Sequence, residues 1–154
     1  MTKIFISYRR EDGPGVAGLI FDRLLKKYSK RDLFIDSDAW SEEAVAVHDL
    51  TASRCCLMLA IIGPRWIDTK DHDGRPRLFS DKDYVRREIV LALRRGIPVI
   101  PVLVDGAAMP AVNDLPENLR SLASRPVLKL RHIRFDSDLL AIEGILEELL
   151  RHLT

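Results

Sequence analysis

The residues best suited to chemistry lie in the run Asp83–Leu93, which has the pattern of an amphipathic helix. Its apolar residues recur at helical spacing at Val85, Ile89, Ala92 and Leu93. Glu88 falls at the edge of this apolar stripe rather than on the opposite face, and Tyr84 lies one turn before it on the same side. Two interpretations follow: a helix-surface glutamate paired with Arg87 or Arg94, or a partly desolvated carboxylate in a cleft.

A second candidate is the tetrapeptide that leaves the first apolar run of the chain, Ser7-Tyr8-Arg9-Arg10. Arginine side chains bind phosphate groups through paired N–H donors, and a tyrosine ring can stack on a base. The alternative is a solvated loop in which Tyr8 covers the edge of a sheet. Residue types alone leave both interpretations open.

Weaker motifs are better explained without a ligand. Gly13–Gly18 matches the dinucleotide pattern G-x-G-x-x-G, but Tyr8–Asp12 separates it from the preceding strand and Pro14 lacks an N–H for a phosphate. Asp71–Gly74 resembles the start of a calcium loop, yet Lys82 stands at the twelfth position, where that loop needs Glu. The histidines show no ligand spacing, so we expect no metal site.

Composition limits the class of protein. The 154 residues are expected to form one domain over 1–154, with 47% hydrophobic residues. The 24 basic and 23 acidic residues give a net charge of +1, which offers no reason to expect nucleic acid or a membrane surface as partner. No apolar run approaches the about 20 residues of a membrane span. Met1–Ser7 enters a strand pattern at once, so we expect no signal peptide and a cytoplasmic location.

Apolar runs of strand length alternate with stretches of helical period. Strands are predicted at Lys3–Ser7, Leu33–Ile35, Cys55–Ile62, Ile97–Val104 and Val127–Leu130. Helices are predicted at Pro14–Tyr28, Glu42–Ser53, Asp81–Arg95 and Pro116–Ala123, with a last helix capped by Asp136 and ending at Leu153. This alternation predicts a flavodoxin-like α/β three-layer sandwich: a five-stranded parallel sheet, order 2-1-3-4-5, with helices on both faces. Ligands of such sheets bind at the carboxyl edge, here between the first and third strands.

Four segments together resemble a known family. Ile4–Arg10, Phe34–Asp36, Ile62–Trp66 and Tyr84–Ile89 are similar to the TIR (Toll/interleukin-1 receptor) domain in its bacterial form. The similarity extends in order over nearly the whole chain. It implies a flavodoxin-like fold and one of two activities: cleavage of NAD+ into nicotinamide and ADP-ribose or a cyclic isomer, or signalling by self-association without catalysis.

The resemblance also implies roles for particular residues. Glu88 occupies the position of the catalytic glutamate, and Tyr84 stands where Trp is usual. The remaining residues expected to contact the substrate are Ser7, Tyr8, Arg9, Arg10, Asp36 and Trp40. NAD+ is then the substrate, and no further cofactor is expected.

The loop after the second strand departs from the family pattern. Bacterial relatives carry a Pro-Gly pair there, whereas this chain reads Asp36–Glu42 without one. In the family this loop gates the pocket and mediates assembly, and a tryptophan there is a potential contact residue. The expected interface residues are Ser37, Asp38, Ala39, Trp40 and Ser41. The resemblance further implies homotypic association, a sensor domain or protein as partner, and a role in defence against phage.

Overall fold

A computed structural model describes residues 3–12, 14–35 and 51–153. The strands are β1 (Ile4–Tyr8), β2 (Leu33–Ile35), β3 (Leu57–Ile62), β4 (Val99–Val104) and β5 (Leu128–Leu130). The α-helices are α1 (Pro14–Leu24), α2 (Tyr84–Arg94) and α3 (Phe135–Leu153). Short 3₁₀ helices span Arg10–Asp12, Arg77–Phe79, Val112–Asp114 and Glu117–Ser124.

The strands form one five-stranded sheet of order β2-β1-β3-β4-β5, and every neighbouring pair is parallel. The predicted fold class and strand order are confirmed. Because the strands are parallel, all their carboxyl ends meet at one edge of the sheet. The order reverses between β1 and β3, so the segments that follow these two strands flank the crevice where ligands of such folds bind.

The two faces of the sheet carry separate apolar clusters. Side chains alternate along β1, so that Phe5 joins the cluster on the α2 face, whereas Ile4 and Ile6 join the cluster on the face of α1 and α3. Every residue of β3 and of β4 is buried. This pattern accounts for their continuous apolar sequences, because a central parallel strand is covered on both sides.

Helix α2 is shorter than predicted because its ends are fixed by local hydrogen bonds. It begins at Tyr84, after Asp83, rather than at Asp81. At the other end, the N–H of Gly96 donates to Leu93 (3.2 Å) and that of Ile97 donates to Ala92 (2.9 Å). Gly96 has a φ of 69°, so these bonds form the left-handed C-terminal motif for which glycine is preferred.

Other predicted boundaries shift for comparable reasons. Helix α1 ends at Leu24 rather than at Tyr28, because the chain tightens into bonds between residues three apart, such as Lys27 N–H to Leu24 O (3.0 Å). The predicted capping role of Asp136 is wrong, since α3 already includes Phe135. The predicted helix Glu42–Ser53 lies mostly outside the described residues.

Cys55 and Cys56 precede β3 rather than lying in it, and both are free thiols. Burial raises the pKa of Cys55 to about 12, which keeps its thiol protonated. Across residues 3–12, 14–35 and 51–153, no helix is long and apolar enough to span a membrane, and no three His, Cys, Asp or Glu side chains cluster as metal ligands would.

The junction between β5 and α3 depends on one ion pair. The Asp138 carboxylate accepts bonds from Nε (2.9 Å) and Nη2 (2.8 Å) of Arg131 and from its backbone N–H (2.9 Å). The guanidinium, and secondarily the N–H, lowers the pKa of Asp138 from 3.8 to about 2. A carboxyl whose pKa falls on folding stabilises the folded state above its unfolded pKa and loses that contribution as the pH falls toward 2.

We therefore expect Asp138→Asn to lower the stability of the protein at pH 7, with the difference from wild type shrinking as the pH falls from 3.8 to about 2. Urea unfolding at several pH values measures this. Asp136→Asn is the matched control, because the Asp136 side chain is 91% exposed and its ion pair with Arg23 is long, at 3.8 Å. An Asp138→Asn effect that is independent of pH contradicts the ion-pair explanation.

Candidate active site

Buried polar side chains concentrate around the end of β1 and the start of α2. Among the described residues, the buried polar or charged side chains are Ser7, Arg9, Asp12, Asp83, Glu88 and Glu143. All except Glu143 lie in or directly after β1, or between the residue that precedes α2 and the second turn of that helix. Because burying such groups is costly without polar partners, their concentration at one crevice marks a candidate site.

Arg9 and Asp83 form the central ion pair of this site. Nη1 of Arg9 lies 2.5 Å from Oδ1 of Asp83, and Nη2 lies 2.9 Å from Oδ2. The side chains are 0% and 1% exposed. This is the planar, two-point contact that a guanidinium makes with a carboxylate. It joins the residue that follows β1 to the residue that precedes α2.

Asp83 also caps α2. Its Oδ2 accepts the backbone N–H of Arg86 at 3.1 Å, which satisfies a donor that lacks a partner within the helix. The same carboxylate therefore holds both the strand segment and the first turn of the helix. An Asp immediately before the periodic apolar residues is typical of a helix cap. Because the helix was predicted to begin at Asp81, the sequence did not identify Asp83 as that cap.

Glu88 is more deeply buried than its position at the edge of the apolar stripe predicts, with 0% exposure. It shares the inner face of α2 with Val85 and Ile89, which pack in the cluster against the sheet. The interpretation of Glu88 as a helix-surface residue is therefore wrong. Tyr84 lies one turn earlier on the same helix and is 7% exposed. The aromatic ring and the carboxylate are therefore one helical turn apart, as predicted.

The tetrapeptide Ser7-Tyr8-Arg9-Arg10, at the end of β1, does not lie on one face of the sheet. Ser7 and Arg9 alternate with Tyr8 along the chain, and Tyr8 packs in the apolar cluster on the α1 face, opposite to α2. Tyr8 is buried at 8% exposure, so a stacking role for it stays a prediction. Arg10 begins the 3₁₀ turn and is partly exposed. A pyrophosphate contact by Arg9 also stays a prediction, and it would compete with Asp83 for the same N–H donors.

A second carboxylate ties the β1 segment to the segment after β3. Oδ2 of Asp12 accepts the N–H of Gly63 (2.9 Å), and Oδ1 accepts that of Arg65 (2.6 Å). Burial raises the pKa of Asp12 above its ordinary 3.8, and these two N–H groups oppose the shift. The sequence alone indicates no role for Asp12, because this contact joins residues far apart in the chain.

A cavity opens beside this cluster on the solvent side. Its volume is about 170 Å³, and its lining residues are Asp71, Arg77, Ser80, Lys82, Asp83 and Tyr84. Arg77 reaches across to Glu11, with Nη1 2.5 Å from Oε1. The cavity therefore brings basic side chains next to Tyr84, although Glu88 does not line it. The other predicted site residues, Asp36, Ser37, Asp38, Ala39, Trp40 and Ser41, lie outside the described residues.

The contact between Asp12 and Gly63 requires glycine. A Cβ at Gly63 would lie 2.6 Å from both the backbone O and Oδ1 of Asp12. We expect Gly63→Ala to destabilise the protein by about 1–3 kcal/mol, because the Asp12 turn must shift. Chemical unfolding measures the loss.

Gly18→Ala is the matched control for that substitution. A Cβ at Gly18, inside α1, meets nothing within 4 Å, and alanine is favoured over glycine in a helix by about 0.5–1 kcal/mol. Gly18→Ala should therefore be neutral or stabilising. Equal losses at both positions would contradict the close contact at Gly63.

The sequence is similar to a protein of described activity. No family model matches the sequence. A Drosophila melanogaster protein described as "NAD(+) hydrolase sarm1" is 31% identical over 124 residues, which cover 78% of this chain. The chain spans only 8% of the length of that relative.

A solved structure, that of the activated Roq1 resistosome directly recognizing the pathogen effector XopQ (TIR domains), matches 100% of this chain and 82% of its own, with a TM-score of 0.48 and 13% identity. At that TM-score and identity the likeness supports no conclusion about the site.

Proposed function

We propose that this chain, as a TIR-domain protein, is an NAD+ glycohydrolase in which Glu88 is the catalytic residue. The bond cleaved joins nicotinamide to ribose, and the products are nicotinamide and either ADP-ribose or a cyclic isomer. The proposal is supported by the match to an NAD(+) hydrolase over 78% of the chain. The observation that carries it is a fully buried glutamate, one turn after Tyr84, on the helix that packs against β1 and β3.

The buried charged groups at the end of β1 and the start of α2 suit a cation. Among the described buried side chains near the crevice there are three carboxyl groups, on Asp12, Asp83 and Glu88, and a single guanidinium, on Arg9. Cleavage of a glycosidic bond passes through an oxocarbenium-like state with positive charge at the anomeric carbon. A preorganised excess of carboxyl groups stabilises such charge as it develops, and does so most strongly where water is excluded.

The chemical step follows from these charges. The bond between C1′ and the pyridinium nitrogen breaks, and its electron pair leaves with nicotinamide, which becomes neutral. The oxygen of water then attacks C1′ and loses a proton, giving ADP-ribose; attack by the substrate's own adenine gives the cyclic product. Nicotinamide needs no strong acid to leave, so Glu88 need not donate a proton. Its role is to hold the ribose hydroxyls and to stabilise the cation. These contacts accelerate the reaction only if they are stronger in the transition state than in the ground state.

The remaining contacts of the substrate are assigned by position and chemistry. Tyr84 borders the cavity and offers a ring for stacking, and Arg10 is the partly exposed arginine at the end of β1. Asp36 and Trp40 are proposed to complete the pocket from the loop after β2, with Ser7 beneath it. The reaction as written uses NAD+ as substrate and draws on no metal or additional cofactor.

Substitution of Glu88 tests the assignment. We expect Glu88→Gln to reduce nicotinamide release from NAD+ by about 100-fold or more, because the amide keeps the shape of the side chain but loses the charge that stabilises the cation. Nicotinamide is measured by chromatography at saturating NAD+. Far-ultraviolet circular dichroism establishes that the variant is folded.

Glu143→Gln is the matched control, because Glu143 is also a buried glutamate, at 4% exposure, but lies on α3 and pairs with Arg23 and Lys27. Its turnover per folded molecule should equal that of wild type. Full activity in Glu88→Gln would refute the catalytic role of Glu88. A wild type that releases no nicotinamide at any concentration would favour the alternative function, a non-catalytic signalling adaptor.

Self-association is proposed as the activating step. Glu88 has no solvent exposure in this structure, so substrate reaches it only after the side chains around it move. Contacts between copies through the loop residues Ser37, Asp38, Ala39, Trp40 and Ser41 would supply that change. A sensor domain or protein would bring the copies together, in the cytoplasm, as part of a signalling or antiviral defence response.

This proposal predicts a concentration dependence. Specific activity of the wild type should rise with protein concentration, and Trp40→Ala should shift that rise to higher concentration because tryptophan side chains contribute strongly to interfaces. Sedimentation velocity and nicotinamide release measured on the same samples test both statements. Specific activity that is constant with concentration contradicts activation by association.

A further inference from the structure

We propose that the buried ion pair of Arg9 and Asp83 positions the Glu88 helix relative to β1, so that both residues are positioning residues for the reaction. The inference rests on the proposed function of Glu88 and assigns to Arg9 a role other than binding the substrate. It starts from the geometry of a single carboxylate that serves two elements.

The Asp83 carboxylate accepts hydrogen bonds from groups on both sides of the crevice. Its two oxygens accept Nη1 and Nη2 of Arg9, at 2.5 and 2.9 Å, and Oδ2 also accepts the N–H of Arg86, at 3.1 Å. Sliding α2 along its axis, or rotating it, breaks both contacts with Arg9, whereas the capping bond to Arg86 moves with the helix. The pair therefore fixes one register between the helix and the strand end.

This register determines where Glu88 lies. Glu88 is five residues after Asp83, about 7.5 Å along the helix axis. Arg9 follows Ser7 and Tyr8 of β1 directly, so the same pair fixes the strand end against which the reacting ribose would lie. Effective catalytic groups are held within about 0.5 Å of their productive positions, and a misplacement of about 1 Å can reduce turnover about 100-fold.

Stability alone does not explain the pair. A buried ion pair loses the hydration of both charges, and replacing it by uncharged side chains of similar volume is often neutral or stabilising. Its distinctive property is that it fixes the relative orientation of the two side chains. The planar guanidinium of Arg9 contacts both carboxylate oxygens at once, which a lysine ammonium does not do. The geometry thus matches a role in alignment.

The main test is the double variant Arg9→Met with Asp83→Asn. It removes both charges, so neither is left buried and unpaired, and asparagine keeps the helix cap. We expect kcat for nicotinamide release to fall about 10- to 100-fold, with KM changed by less than about threefold. Arg9→Lys, which keeps the charge and loses the two-point contact, should show the same pattern and serves if the double variant fails to fold.

A matched control removes an ion pair elsewhere. Arg23 Nε lies 2.7 Å from Oε1 of Glu143, between α1 and α3. The double variant Arg23→Met with Glu143→Gln should keep the wild-type kcat. Two results overturn the proposal: wild-type kcat and KM in the Arg9 and Asp83 variants, or a raised KM with unchanged kcat, which would show that Arg9 binds substrate.

Hydrogen exchange provides a second measurement that is independent of activity. In the Arg9→Met/Asp83→Asn variant, the amides of Arg86, Arg87 and Glu88 should exchange at least about tenfold faster than in wild type, while those of Leu91–Arg94 stay unchanged. Unchanged exchange at the first turn overturns the proposal. If wild-type protein releases no nicotinamide, the proposed function fails, and this exchange measurement alone decides whether the pair aligns the helix.

Discussion

A buried guanidinium–carboxylate pair joins the end of the first strand to the start of the helix that carries Glu88, and the arrangement of the crevice depends on it. Arg9 and Asp83 are 0% and 1% exposed, and a charge buried there without its counterpart would be strongly unfavourable. The elements that bear them are therefore held together at their polar ends. Apolar packing holds the same elements along their lengths, through residues such as Phe5 and Val85.

The second polar contact extends this constraint to β3. Asp12 accepts the N–H groups of Gly63 and Arg65, so the segment after β1 is bonded both to the segment after β3 and to the start of α2. Backbone donors that lie at a strand end have no ladder partners, and a side-chain carboxylate supplies the acceptor. The switch point is consequently a junction of three segments joined by hydrogen bonds.

This junction determines where charged side chains lie as well as how the backbone segments are arranged. Carboxyl groups outnumber basic groups among the described buried side chains of the crevice. The lining of the adjoining cavity includes two acidic residues, Asp71 and Asp83, and two basic ones, Arg77 and Lys82. The crevice therefore carries an excess of carboxyl groups, whereas the charged side chains that line the cavity balance.

The sequence by itself determined the alternation of strands and helices, the strand order and the inner face of α2, because hydrophobic periodicity and parallel connections are properties of consecutive residues. It also singled out Glu88 and Tyr84 by their spacing on one helix. Only the tertiary structure decided that Arg9 contacts Asp83, that Asp12 bonds Gly63 and Arg65, and that Tyr8 packs on the opposite face from α2. The hydrogen bonds of Arg9 and Asp12 join residues more than 50 positions apart, and no local preference specifies them. They exist because the folded sheet brings the carboxyl ends of β1 and β3 to one edge.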